Sequence, residues 1–259
     1  MDSPIIRGSE ADVNEIARFV RLLFLWFVVE NWIIELRVKG TGKGIVSGYF
    51  DCDHQIELIE SAAYWSGLGE AVWFTVNPVI RDVHGRARNR MQVYAKDTTT
   101  DKEIACRRDF FIDIDSVKPP GVSATDAELA ATVEIGAAIR DELRILGWPD
   151  PIMATSGNGC HMHYRIEEPN DDDTAARLLG ALKAIKARFE NAAVKIDTSV
   201  GNASRMCKLP GTKACKGDET PERPHRIAKL IEVPESFGTV TREQLESLAG
   251  SGGIPAPND

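Results

Sequence analysis

Cysteine is scarce: the 259 residues hold five, with no CxxC pair. That excludes a disulfide scaffold and a ribbon-type zinc site, and it fits a reducing compartment. Cys207, Cys215 and His225 follow no established zinc spacing. A basic excess is missing too. The formal net charge is −8, the opposite of the basic footprint usual in nucleic-acid binders. Long hydrophobic runs are absent. Residues 22–29, flanked by Arg21 and Glu30, fall well short of the roughly 20 needed to span a bilayer. They read as a buried helix, and no membrane partner is expected. Met1-Asp2-Ser3-Pro4 lacks the basic start of a secretory signal, so the expected location is the cytoplasm. No internal repeat is present. The glycine-rich stretch 40–44 lacks the GxxxxGK[ST] spacing of a phosphate loop and reads as a hairpin turn.

What is present is an ordinary globular composition, 43% hydrophobic and 27% charged. Charge is distributed unevenly. Residues 195–229 carry eight Lys/Arg against four Asp/Glu, a local basic strip compatible with a phosphate-bearing ligand. Residues 81–90 hold Arg81, Arg86, Arg88 and Arg90 and read as a mobile polar loop able to touch a nucleic-acid backbone.

Hydrophobic periodicity predicts helices over about 10–30, 56–68, 126–146 and 174–190. Strands are expected over 32–38, 45–50, 71–76, 110–115, 152–155, 160–166, 194–197 and 226–233. Ser123 with Asp126 resembles a capping box for the third helix. Residues 250–259 read as a tail or linker. From Phe110 the order strand, helix, hairpin, helix, strand implies an α+β fold with a small split-βαβ sheet.

Three stretches carry chemistry. In Phe110-Phe111-Ile112-Asp113-Ile114-Asp115 the strand period puts Asp113 and Asp115 on one face. Two close carboxylates repel and raise each other's pKa, a conflict that a divalent cation with hard oxygen ligands, Mg²⁺ or Mn²⁺, removes. In Ser156-Gly157-Asn158-Gly159-Cys160-His161 two glycines let the backbone approach a ligand and turn its N–H groups inward. Beyond them, His161 can donate to a phosphate. Asp197 ends a short apolar strand and is followed by Arg205 and Lys208. If both reach one pocket, they offer a planar fork and a point charge to a polyphosphate.

In this order the three stretches resemble the catalytic domain of the archaeo-eukaryotic primase superfamily, the primase-polymerases, and most closely those of plasmid and phage type. The resemblance covers roughly residues 105–230. Asp113 and Asp115 match its first motif, His161 the second and Asp197 the third, with Arg205 and Lys208 matching the basic residues beyond. Gly159 departs from the pattern: many relatives have Ser two residues before the histidine, and here Ser156 or Asn158 stands near to replace it.

The resemblance implies a single catalytic domain over 1–249. It would consist of an N-terminal α/β subdomain (about 1–104) packed on an RRM-like catalytic sheet (about 105–235). It implies a template-directed nucleotidyltransferase that makes or extends primers on single-stranded DNA from NTPs or dNTPs. Asp113, Asp115 and Asp197 would hold two Mg²⁺ or Mn²⁺ ions. Ser156, Gly157, Asn158, Gly159, His161, Arg205 and Lys208 would hold the nucleotide. A helicase, in the same polypeptide or in trans, and a prokaryotic plasmid or phage setting are further implications. Two other readings stand beside it. His161-Met162-His163 is the His-hydrophobic-His signature of nicking replication initiators. These need a tyrosine nucleophile, and of the four tyrosines only Tyr164 follows that motif. The other is a nucleotide- or nucleic-acid-binding module without activity.

Overall fold

The computed structural model describes residues 11–27, 32–39, 42–69 and 71–250. Parts of the expected first helix, glycine turn and C-terminal tail therefore lie outside the described residues. Helix α1 (Val13–Phe27) precedes strands β1 (Ile33–Lys39) and β2 (Val46–Asp51). Helix α2 (Gln55–Gly67) and strand β3 (Ala71–Thr75) follow, then the short β4 (Met91–Gln92). The acidic strand is β5 (Arg107–Ser116). After it come α3 (Asp126–Ile145), β6 (Ile152–Thr155), β7 (Gly159–Glu168), α4 (Asp172–Phe189) and β8 (Val194–Ile196). The chain continues through β9 (Met206–Lys208), β10 (Lys213–Ala214), β11 (Arg226–Ile227) and β12 (Lys229–Glu232) to α5 (Arg242–Gly250).

From β5 to β8 the order is βαββαβ, the split-βαβ arrangement that the spacing implies. Its antiparallel sheet runs β12-β6-β7-β5-β8, with β5 between β7 and β8. Alternation sorts its faces. Phe110, Ile112 and Ile114 are buried on the helix side, where Gly136 of α3 lies against Ile114 and Cys160. Asp109, Phe111, Asp113 and Asp115 take the other face. A second five-stranded sheet runs β4-β2-β1-β3-β9. Its edge strand β9 comes from the far C-terminal side of the acidic sheet, so chain from both halves builds one apolar core.

Two local expectations are corrected. The cap of α3 is Thr125, in a reciprocal box with Glu128, whereas the Ser123 hydroxyl donates to the Lys216 carbonyl. Residues 81–90 are a packed corner rather than a loose loop: Val83 and Ala87 are buried, and Arg86 is paired with Glu103. No helix among the described residues is long and apolar enough to cross a membrane.

Candidate active site

Strand β5 is bonded on both sides, so its carboxylates are held by the sheet rather than by a loop. On one side the register sets Asp113 against His161 and Asp115 against Gly159. Cross-strand partners share a face, and His161 Nε2 lies 3.4 Å from Asp113 Oδ1. On the other side Ile114 pairs with Ile196, and the Asp197 N–H donates to the Asp113 carbonyl at 3.0 Å. Asp197 also accepts the Ser199 N–H at 2.8 Å, capping a 3-10 turn. The Asp197 backbone is thus bonded to that of Asp113, while its carboxylate caps the turn at Ser199 and does not line the cleft that holds Asp113 and Asp115.

Asp113 and Asp115 line a cleft of about 390 Å³ between the two sheets. Ser156, Asn158 and His161 line it as well, as does Lys208 from β9. Burial raises the Asp115 pKa, and the Asp113 charge raises it further against the opposing Lys118, His161 and Lys216. The acidic pair is therefore not neutralised by its protein neighbours, and its hard oxygen donors fit a divalent cation such as Mg²⁺ or Mn²⁺. Burial pushes Lys208 down to about 7. Its amine donates to the Lys213 carbonyl and lies 5.7 Å over the Trp73 ring.

Arg205 does not share this cleft. It lines an adjoining cavity of about 550 Å³ with Arg37 and Lys39, and its guanidinium donates to Asn202 and Ser199. Arg205 precedes β9 and Lys208 ends it, and the two line neighbouring cavities that share Trp73 and Met206.

The glycine turn also departs from expectation. Its N–H groups are occupied: Gly157 donates to the Thr155 hydroxyl, and Asn158 and Gly159 donate to the Ser156 hydroxyl. Ser156 and Asn158 line the cleft, the Ser156 hydroxyl holding the turn's own N–H groups and Asn158 Oδ1 accepting the Ala124 N–H. Gly159 is there for space. A Cβ on it would sit 2.4 Å from the Ile114 carbonyl oxygen, so no serine fits where the resembled motif has one.

Sequence reading missed Trp73 and Lys216, which also line the cleft. Lys216 lies in the basic strip, which could have marked it. Trp73 gives no signal, because its role depends on β3 pairing with β9. Cys207 is grouped with His161 and His163, not with Cys215 and His225. His225 contacts Gly217 and Glu219 instead. Tyr164 is 1% exposed and packs on Phe110 and Trp148. It lies on the face opposite the histidines, out of reach as a nicking nucleophile.

No protein-family model and no curated protein matches the chain. Two solved structures are similar to it in overall arrangement. One is described as the crystal structure of primase RepB′, with a TM-score of 0.48 and 10% identity over 93% of this chain. The other is the catalytic domain of primase RepB′ in complex with initiator DNA, with a TM-score of 0.47 and 9% identity over 92% of this chain. The chain spans 62% of the first and 95% of the second.

Proposed function

We propose that the protein is a template-directed nucleotidyltransferase that makes or extends strands on single-stranded DNA from nucleoside triphosphates. The observation that carries this reading is the acidic pair on β5 at a cleft whose other walls supply Lys208 and Lys216, with the backbone of Asp197 bonded to Asp113 alongside. Carboxylates on one side and cations on the other match a metal-bound triphosphate.

Asp113, Asp115 and Asp197 would hold two divalent ions, which supply activation of a 3′-hydroxyl and charge neutralisation of the leaving pyrophosphate. The chain's own groups do the rest. Lys208 and Lys216 bind phosphate oxygens, and Lys208 charges fully as it does so. Ser156 and Asn158 position the nucleotide from the turn. His161 lines the cleft with its Nε2 turned toward Asp113. Arg205, Arg37 and Lys39 line the adjoining cavity, where a strand's phosphates would lie. Because these donors are fixed before the reaction, they favour the charge that develops during transfer. Substrate strand and triphosphate are the partners this requires.

The test is strand synthesis on single-stranded DNA with labelled nucleotides and Mg²⁺ or Mn²⁺, with and without a primer. Metal-dependent product from the wild type, lost in a folded Asp113→Ala variant, is expected. Synthesis retained by that variant would overturn the assignment. Nucleotide binding without product from the wild type would favour the inactive binding module.

A further inference from the structure

Cys207 reaches from β9 across the seam between the sheets to two histidines of β7. Its Sγ lies 3.1 Å from His161 Nδ1 and 3.8 Å from His163 Nε2. All three residues are nearly sealed from solvent, at 2%, 5% and 3% exposure. Their ligand atoms lie within 4.8 Å of one another. Tetrahedral bonds of about 2.0–2.3 Å to a central ion require separations of this order.

The outer nitrogens argue the same way. His163 Nδ1 is bonded to Asp109 Oδ2 at 2.5 Å, and His161 Nε2 faces Asp113 Oδ1 at 3.4 Å. Each ring thus turns one nitrogen to a carboxylate and the other to the sulfur. Metal-bound histidines are normally oriented in this way, the outer N–H donating to a carboxylate. Asp109 is itself buried, and its Oδ1 has no hydrogen-bond partner among the described residues. A thiolate and a carboxylate sealed in this seam balance the charge of one dication.

We propose that His161, His163 and Cys207 form a binding site for a soft divalent ion of the Zn²⁺ type, distinct from the carboxylate site for Mg²⁺ or Mn²⁺. A thiolate with two imidazoles selects zinc over magnesium, whereas the Asp113–Asp115 pair offers only hard oxygens. His161 and Cys207 also line the cleft, so a water can complete the fourth position. The ion fixes the His161 tautomer: with Nδ1 on the metal, the proton stays on Nε2, facing Asp113. It also ties β9 to β7 across the two sheets. Binding at this site does not depend on strand synthesis, and it can fail or hold independently of the polymerase reading.

The experiment is titration of the reduced, chelator-treated full chain with Co²⁺, followed by Zn²⁺. One equivalent of Co²⁺ should give a near-ultraviolet thiolate-to-cobalt charge-transfer band and the visible bands of a tetrahedral ion, both abolished by Zn²⁺. Cys207→Ser should lose the charge-transfer band, His163→Ala should weaken binding by at least tenfold, and Asp115→Asn should keep the band. Should these variants misfold, X-ray absorption of the zinc-loaded wild type decides. One sulfur near 2.3 Å with nitrogen neighbours is expected. A shell of oxygens only, no band in the folded wild type, or a band unchanged in Cys207→Ser would each overturn the proposal.

Discussion

At the scale of single residues, the acidic pair is legible because a strand has a period of two, and alternate positions must share a face whatever else the chain does. Asp113 and Asp115 needed no tertiary information. Gly159 did. In sequence it reads as half of a flexible turn, but its backbone is pressed against β5, where a Cβ would meet the Ile114 carbonyl at 2.4 Å. Gly159→Ala is therefore expected to destabilise the protein by about 1–3 kcal/mol, as overpacking against rigid neighbours does. Urea unfolding reads this directly, and an unchanged midpoint would mean that β7 can move away from β5 at no cost. Arg205 belongs to the same scale. Its guanidinium is already held by Asn202 and Ser199, so it is oriented before any strand or nucleotide arrives. A charged hydrogen bond contributes about 1.5–3 kcal/mol. Arg205→Ala should raise the KM for nucleotide or primer-template at least tenfold with a far smaller change in kcat. An unchanged KM for both would remove Arg205 from the site.

At the scale of elements, the helices and strands expected from periodicity form to within a few residues, but α5 and the short strands β4, β9 and β10 were not expected, and other errors gathered where a tertiary contact chose between local options. Both Ser123 and Thr125 can cap α3. Thr125 wins because Glu128 completes its box, while the Ser123 hydroxyl is taken by the Lys216 carbonyl. The arginine-rich corner misled because charge suggests solvent. Arg86 instead packs its guanidinium on Glu103, 17 residues away, and that pairing lies beyond any local window. The Arg86 charge, backed by the Thr100 N–H and hydroxyl, holds the Glu103 carboxyl down at about 2 against an ordinary 4.5. A carboxyl lowered on folding contributes stability that is fully present above pH 4.5 and is lost as pH falls through 2. The pair is partly solvated, at 31% and 19% side-chain exposure, so solvent screening leaves about 1 kcal/mol. Glu103→Gln should lower stability by that amount at pH 7, and its deficit should shrink as pH drops from 4.5 to 2. Parallel stability curves for the two proteins over that range would contradict the linkage.

At the scale of the whole molecule, the feature that no local reading could supply is the crossing of β9. Residues 206–208 pair with β3 in the N-terminal sheet, although they follow the acidic sheet in sequence. A three-residue strand, Met206-Cys207-Lys208, carries no signal of which edge it will join. The choice is made by β3, whose open edge would otherwise leave its N–H and C=O groups unpaired. The same crossing brings Lys208 to the cleft and Cys207 to the two histidines, so both were visible as residues and invisible as neighbours. Stability follows from this topology. The apolar core runs without a break from Phe19 and Phe74 on one side to Ile112 and Leu182 on the other. A polypeptide of residues 1–104 has the first four strands of the N-terminal sheet but neither β9 nor the face that covers Phe74. It should therefore remain unfolded, with a narrowly dispersed amide spectrum. The full chain should melt in one calorimetric transition, with equal calorimetric and van't Hoff enthalpies. Two transitions, or a well-dispersed spectrum from the 1–104 polypeptide, would show that the N-terminal sheet folds without β9. In that case the cleft between the sheets would be free to open and close as a hinge.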